Sequence, residues 1–190
     1  RGTHPRLDLE DAASIRAFFA GVGPIDHVVV AAGNARFGGF DALDEAAFQV
    51  GLTSKLMGQV NVAMAALRRL PIGGSVTLTS GALSHSPISG SAAVALVNGA
   101  LDSFVRAIAL DAPDGRRINV VSPGWIRETR IKLGLPPEPG TSIRRISGCT
   151  NRRCHAEPNV EWWRNRRALG AGARSTVITS IARPPSVPSS

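Results

Sequence analysis

The chain has 190 residues, 43% of them apolar, a formal charge of +8 and a mean hydropathy of +0.04. That length supports a single domain with a real core, and the composition excludes disorder of the whole chain. Two cysteines exclude a disulfide scaffold. No uninterrupted apolar run approaches the roughly 18 residues of a membrane span, and Arg1-Gly2-Thr3-His4-Pro5 does not open a signal peptide.

Taken whole, +8 points to nucleic acid or an acidic surface. The charge is unevenly placed, however. Residues 1–140 carry 13 Lys+Arg against 12 Asp+Glu, a net of +1, whereas residues 141–190 carry nine arginines against Glu157 and Glu161, a net of +7. Both cysteines and two of three tryptophans also fall in this last stretch, which ends in the core-poor run Ala182-Arg183-Pro184-Pro185-Ser186-Val187-Pro188-Ser189-Ser190. The sequence therefore divides into a nearly neutral domain, 1–140, and a basic tail, 141–190.

In chain order, Leu7-Asp8-Leu9 reads as a short strand. Asp11 caps a helix with Ile15, Phe18 and Phe19 on one face, closed by Gly21 and Gly23. Asp26 to Gly33 is a β-branched run that predicts a strand buried on both faces. Asp44 to Leu70 is helical and ends at Pro71 and Gly73-Gly74. Ser75 to Ser80 is a second long strand, followed by Gly81. Ser91 to Leu110, apolar nearly all round, is a core helix. Ile118 to Val121 is a third strand, ended by Ser122-Pro123-Gly124.

Strands alternating with helices predict a parallel sheet. Each long strand ends in a small or turn-forming residue: Gly33, Ser80-Gly81 and Pro123-Gly124. Those ends share the carboxyl edge, outside which open α/β folds place their ligands.

The pieces Leu7-Asp8-Leu9, Val28-Val29-Val30-Ala31-Ala32-Gly33, Thr77-Leu78-Thr79-Ser80-Gly81, Val97-Asn98-Gly99-Ala100-Leu101 and Ile118-Asn119-Val120-Val121-Ser122-Pro123-Gly124-Trp125 occur in an order and spacing that resemble the short-chain dehydrogenase/reductase family. The resemblance covers about residues 1–140. Within it, Ser54-Lys55-Leu56-Met57-Gly58-Gln59 is similar to a divergent subgroup. It implies an α/β fold: an incomplete Rossmann-type, doubly wound parallel sheet with helices on both faces, followed here by an irregular basic C-terminal tail. The family's glycine-rich phosphate turn has no counterpart. The domain thus reads as lacking its first strand–helix–strand unit, which would leave Val28–Ala32 with an open apolar edge and make folding marginal.

The implied activity is hydride transfer between a carbonyl and an alcohol with NADP or NAD, and the substrate is a small molecule. Relatives place a tyrosine and a lysine four apart on the core helix, where the lysine brings the phenol's pKa toward neutrality. Those positions read as Gly90 and Val94, and the chain contains no tyrosine. The site is therefore degenerate. Ser80 takes the serine position that holds the substrate carbonyl. Lys55 stands where relatives have asparagine, as a substitute cation or a solvated surface lysine. His85 is a loop histidine that can act as an acid or be incidental.

For the cofactor, the resemblance assigns Asp8 and Leu9 to the adenine, Ala31, Ala32 and Gly33 to close backbone approach, and Pro123, Gly124 and Ile126 to the nicotinamide. Arg1 resembles the arginine that reaches a 2′-phosphate, a lean toward NADP. Without the glycine-rich turn, binding is expected to be weak. Relatives form dimers or tetramers through the fourth and fifth helices.

Three readings compete for the tail: a nucleic-acid-binding arm with Trp162 and Trp163 stacking on bases, a metal site from Cys149, Cys154 and His155, and a stretch translated out of frame. Three clustered ligands fall short of the four a structural zinc takes, so no metal is expected. The alternatives to an enzyme are a non-catalytic dinucleotide-binding or scaffold protein on the same fold, and a nucleic-acid binder acting through its tail. The expected compartment is the cytoplasm.

Overall fold

A computed structural model describes residues 7–113 and 115–124, with the strands Arg144–Ser147 and Ser175–Ile178. Its elements are α1 (Ala12–Gly21), β1 (His27–Val30), α2 (Glu45–Val50), α3 (Gly58–Arg69), β2 (Ser75–Thr79), α4 (Ala92–Asp111), β3 (Arg117–Ser122), β4 (Arg144–Ser147) and β5 (Ser175–Ile178). Gly51–Met57 joins α2 to α3 as one turn of wider π spacing, so the helix expected from Asp44 to Leu70 is continuous but locally over-wide.

The caps lie where the sequence places them. Asp11 accepts from the Ala13 amide at 2.7 Å and Asp44 from the Ala47 amide at 2.8 Å. Each carboxylate accepts from an N–H of its helix's first turn. Ile15, Phe18 and Phe19 are buried, the last two in edge-to-face contact.

The sheet runs β4-β3-β2-β1-β5. β1, β2, β3 and β5 are parallel to their neighbours, and β4 is antiparallel to β3. In register, Val28, Val76 and Ile118 form one row and Val30, Leu78 and Val120 another. All six are fully buried and belong to the core. α3 packs on β1 and β2, the π turn touches α4, α4 packs on β3, and α1 packs on α3. The described helices therefore share one face of the sheet. The reason is topological: two right-handed crossovers that step the same way, β1 to β2 to β3, leave their helices on the same side.

The intervening residues of the strands face away from these helices. They include His27, whose Nδ1 meets Ser75 Oγ at 3.0 Å, and the half-buried Val29. β1 thus alternates rather than being buried on both faces.

Two further expectations are corrected. Leu7-Asp8-Leu9 is a turn leading into α1, not a strand. Asp8 Oδ1 accepts from the Glu10 amide at 2.9 Å, a local bond that competes with strand pairing. The edge of β1 expected to lie open is paired with β5, His27 to Ser175 through Val30 to Ile178. Two segments of the last fifty residues therefore join the sheet through backbone bonds.

α4 is the one described helix long and apolar enough to cross a membrane, with a hydropathy of 1.5 over 18 residues. The sequence excludes a span by the lack of an uninterrupted apolar run; by mean hydropathy the helix passes. Its apolarity is used here in packing: Val97, Leu101 and Val105 are buried, and Leu101 and Val105 belong to the core formed with the strands.

Gln59 fastens α3 to the sheet. It is fully buried, its Nε2 donates to Thr79 O and its Oε1 accepts from the Thr79 amide, both at 2.9 Å. β1 ends opposite Leu78, so the side-chain amide continues the ladder one residue beyond it. Gln59→Leu keeps the volume and strands both Thr79 groups. It is expected to cost about 2–4 kcal/mol, read as a lower thermal midpoint and an earlier denaturant transition.

Candidate functional site

The carboxyl ends of β1, β2 and β3 lie side by side and are tied together. The Ser80 amide donates to Val121 O at 2.9 Å and the Ala82 amide to Pro123 O at 2.8 Å. Ser80 is 3% exposed, and its hydroxyl makes only a long 3.4 Å contact with Val121 O. That proton is easily redirected to a better acceptor.

Lys55 approaches from the π turn. Its Nζ donates to the backbone carbonyl of Ser80 at 3.0 Å. Such wide turns recur at functional sites because they re-aim a side chain without ending the helix. Gly33 holds Lys55 from the other side. At φ +121° it adopts a conformation that L side chains rarely take, and a methyl group there would lie 2.6 Å from Lys55 Cα. Ser54 Oγ accepts from the Asn34 amide at 3.1 Å, fastening the same turn to the end of β1. Burial lowers the Lys55 pKa from 10.5 to about 8, and the charge of Asp102 acts against that fall. At pH 7 the group is a cation, and one able to give up its proton near neutrality.

The other expected residues divide by position. Asp8 is exposed, while Leu9 is buried in the core and lies against Gly58, where an added methyl would come within 2.9 Å of Leu9 Cβ. Ala31 is exposed and Ala32 buried, and Pro123 and Gly124 are half-buried at the end of β3. Arg1 and Ile126 lie outside the described residues, as do Cys149, Cys154, His155, Trp162 and Trp163. Ser80, Lys55 and Gly33 come together with the end of β3, and Asp8 and Leu9 belong to the turn beside α3. A groove of about 630 Å³ lined by Glu10, Glu45, Gln49, Val50 and Thr53 opens near that turn and contains none of the candidate residues.

Gly90 is not on the core helix. It precedes α4 in a left-handed turn, φ +77°, and its carbonyl accepts from the Gly38 amide at 2.9 Å. Val94 is in the first turn of α4 and buried. Gly90 and Val94 therefore do not share the helix, whereas Val94 and Asn98, one turn apart, do. Asn98 is 1% exposed, and an added methyl at Gly81 would lie 2.8 Å from its Nδ2.

Asp102 follows one turn later, 2% exposed. Its Oδ2 accepts from Ser84 Oγ at 2.7 Å and lies 3.3 Å from His85 Nε2. Asn98, Asp102 and Ser84 were not singled out by sequence reasoning. The signal was available in α4, where two polar residues one turn apart, Asn98 and Asp102, interrupt the buried apolar face.

A family model described as Enoyl-(Acyl carrier protein) reductase matches residues 4–139. The short-chain dehydrogenase/reductase ATR9 of Stachybotrys chlorohalonatus is 37% identical over 105 residues, 54% of this chain and 41% of that protein. Versicolorin reductase 1 of Dothistroma septosporum is 35% identical over 113 residues, 55% of this chain and 41% of that protein. This chain thus spans about two fifths of these relatives' length.

Among solved structures, protein lin1944 of Listeria innocua superposes with a TM-score of 0.65 at 36% identity, covering 67% of this chain and 64% of that one. A small-chain dehydrogenase in complex with NADPH superposes with a TM-score of 0.60 at 28% identity, covering 67% and 62%. With its parallel sheet, the serine at the end of β2 and a family model matching well over half its length, the chain belongs to the short-chain dehydrogenase/reductase family.

Proposed function

We propose that the chain acts as an NAD(P)-dependent oxidoreductase on a small carbonyl or alcohol, with Ser80 and Lys55 as its reacting-end residues. The observation that carries this reading is a half-buried lysine with a pKa near 8, set at the carboxyl end of the parallel sheet against Ser80. A relative at 28% identity is described as an NADPH complex.

The donor set at the edge fits one end of a dinucleotide. Pro123 and Gly124 offer backbone beside Ser80, and Ala31 to Gly33 leave room for close approach. Asp8, exposed at the turn before α1, suits an adenine or ribose. No glycine-rich phosphate turn occurs among the described residues, which supports weak binding. When bound, NAD(P)H supplies a hydride to the carbonyl carbon. Ser80 Oγ then orients the carbonyl oxygen by donating to it. As the C=O π electrons move onto that oxygen, Lys55 Nζ gives it a proton, and the neutral amine is reprotonated from solvent. With only two cysteines in the chain, the reducing cytoplasm is the compartment this reading favours.

In this reading the cation and the amide have changed places. Relatives carry lysine on the core helix and asparagine on the preceding one. Here Asn98 is on the core helix, against Gly81, and Lys55 is on the preceding helix, bonded to Ser80 O. The missing tyrosine supports a second reading, a dinucleotide-binding protein without turnover.

Assays of NAD(P)H oxidation against a panel of aldehydes and ketones separate the two. Turnover is expected, with carbonyl reduction falling as pH rises through about 8, because the ammonium must be present to donate. Lys55→Met is expected to abolish that limb and lower the rate about 10²–10⁴-fold. Dinucleotide binding without turnover on any substrate would favour the scaffold. Calorimetric titration with NADPH and NADH is expected to give dissociation constants weaker than micromolar, and tight micromolar binding would overturn that expectation.

A further inference from the structure

Among the described residues, three buried side-chain atoms have no hydrogen-bond partner: Asn98 Oδ1, Asp102 Oδ1 and Ser122 Oγ. They are not scattered through the fold. Asn98 and Asp102 are one turn apart on α4, and Ser122, the last residue of β3, sits between Val121 and Pro123, whose carbonyls accept from Ser80 and Ala82. All three therefore adjoin the segment that follows β2.

Asp102 is also the only buried acid among the described residues, at 2% exposed. A buried carboxylate is costly unless it is donated to or faces a cation. Ser84 Oγ and His85 Nε2 both serve Oδ2, and Ser84 Oγ also lies 3.0 Å from Gly81 O, so its single proton is divided between two acceptors. The other compensating charge is Lys55: its Nζ donates to Ser80 O, next in the chain to the Gly81 O that Ser84 Oγ reaches, and Asp102 favours its cationic form.

We propose that Asp102 is a positioning residue for Lys55: tethered by Ser84 and His85 to the loop after β2, its buried carboxylate keeps the Lys55 ammonium charged and directed at the end of the strand. Its part in catalysis rests on the reading of Lys55 given above, but the charge coupling does not. The ionisable groups of this cluster are Asp102 on α4 and His85 after the short 3₁₀ turn Ala82–Ser84. β2 contributes Ser80 and the end of β1 contributes Gly33 and Asn34, none of them charged. His85 has 36% of its side chain exposed and so links the buried acid to solvent.

The chain has only two lysines, Lys55 and Lys132. Full-length protein labelled with ¹³C,¹⁵N-lysine therefore gives two side-chain signals, assigned with Lys132→Arg. A pH titration followed by NMR reads the Lys55 charge with neither substrate nor dinucleotide present, so it succeeds or fails independently of the proposed activity. The wild-type midpoint for Lys55 is expected near 8. In Asp102→Asn, loss of the negative charge removes what favours the ammonium, and the midpoint is expected to fall by about one pH unit. Asp102→Glu is expected to restore most of it. Lys132 should not move in either variant. A folded Asp102→Asn protein, judged by far-UV circular dichroism, with an unchanged Lys55 midpoint would overturn the proposal. Should Asp102→Asn fail to fold, Ser84→Ala takes its place. It leaves the charge and frees the carboxylate, so the Lys55 signal and midpoint are expected to shift, and an unchanged titration would refute the coupling.

Discussion

The site depends on a buried amide paired with a strand end. Gln59 bonds both the N–H and the C=O of Thr79, the residue before Ser80. Lys55 lies one helical turn before Gln59, so a single constraint sets the height of the helix against the sheet and delivers the ammonium to the Ser80 carbonyl. The pairing is directional and buried, and a slide of the helix by one residue would strand two backbone groups at several kcal/mol in total. Hydrophobic packing alone has no such register, because the helix face of Val62, Ala63, Ala66 and Leu67 could settle against the valines of β1 and β2 in neighbouring positions.

Much of this was legible in the sequence where local chemistry decides. Asp11 and Asp44 cap their helices because their carboxylates reach the first-turn amides. The β-branched run at Val28 and the apolar stretch at Ser75 became strands, and the small residues after them marked the carboxyl edge. What was not legible depended on partners distant in sequence. Leu7-Asp8-Leu9 has a strand-like alternation, but the Asp8 side chain satisfies a nearby amide and the segment turns. The pairing of β1 with β5 joins residues about 150 positions apart, which no local pattern announces.

The identity of the cation at position 55 is informative in itself. Arginine outnumbers lysine by twenty to two in this chain, yet the side chain beside Ser80 is lysine. The two differ where it matters: a guanidinium holds its proton under all protein conditions, whereas burial brings an ammonium down to the neutral range. An arginine here could hold an anion but could not cycle a proton. Sequence reasoning reached Lys55 through its motif and set it against a solvated lysine. In the structure Lys55 is half-buried, bonded to Ser80 O, with Gly33 close against its Cα.

α4 shows why half of the site escaped the sequence. A helix apolar enough to cross a bilayer reads as core, and its two buried polar residues pass as tolerated exceptions. Folding gives no evident return for them. Asn98 and Asp102 each keep a buried oxygen without a partner, at a cost of the order of 1–3 kcal/mol per group. Apolar residues of similar size would fit the packing of α4 on β3 without that penalty. Both lie against the loop after β2, so among the described residues the cost falls beside Ser80, whose hydroxyl is free to be redirected. Such a concentration of unmet polar groups at one strand end follows when that end is kept for chemistry rather than for stability.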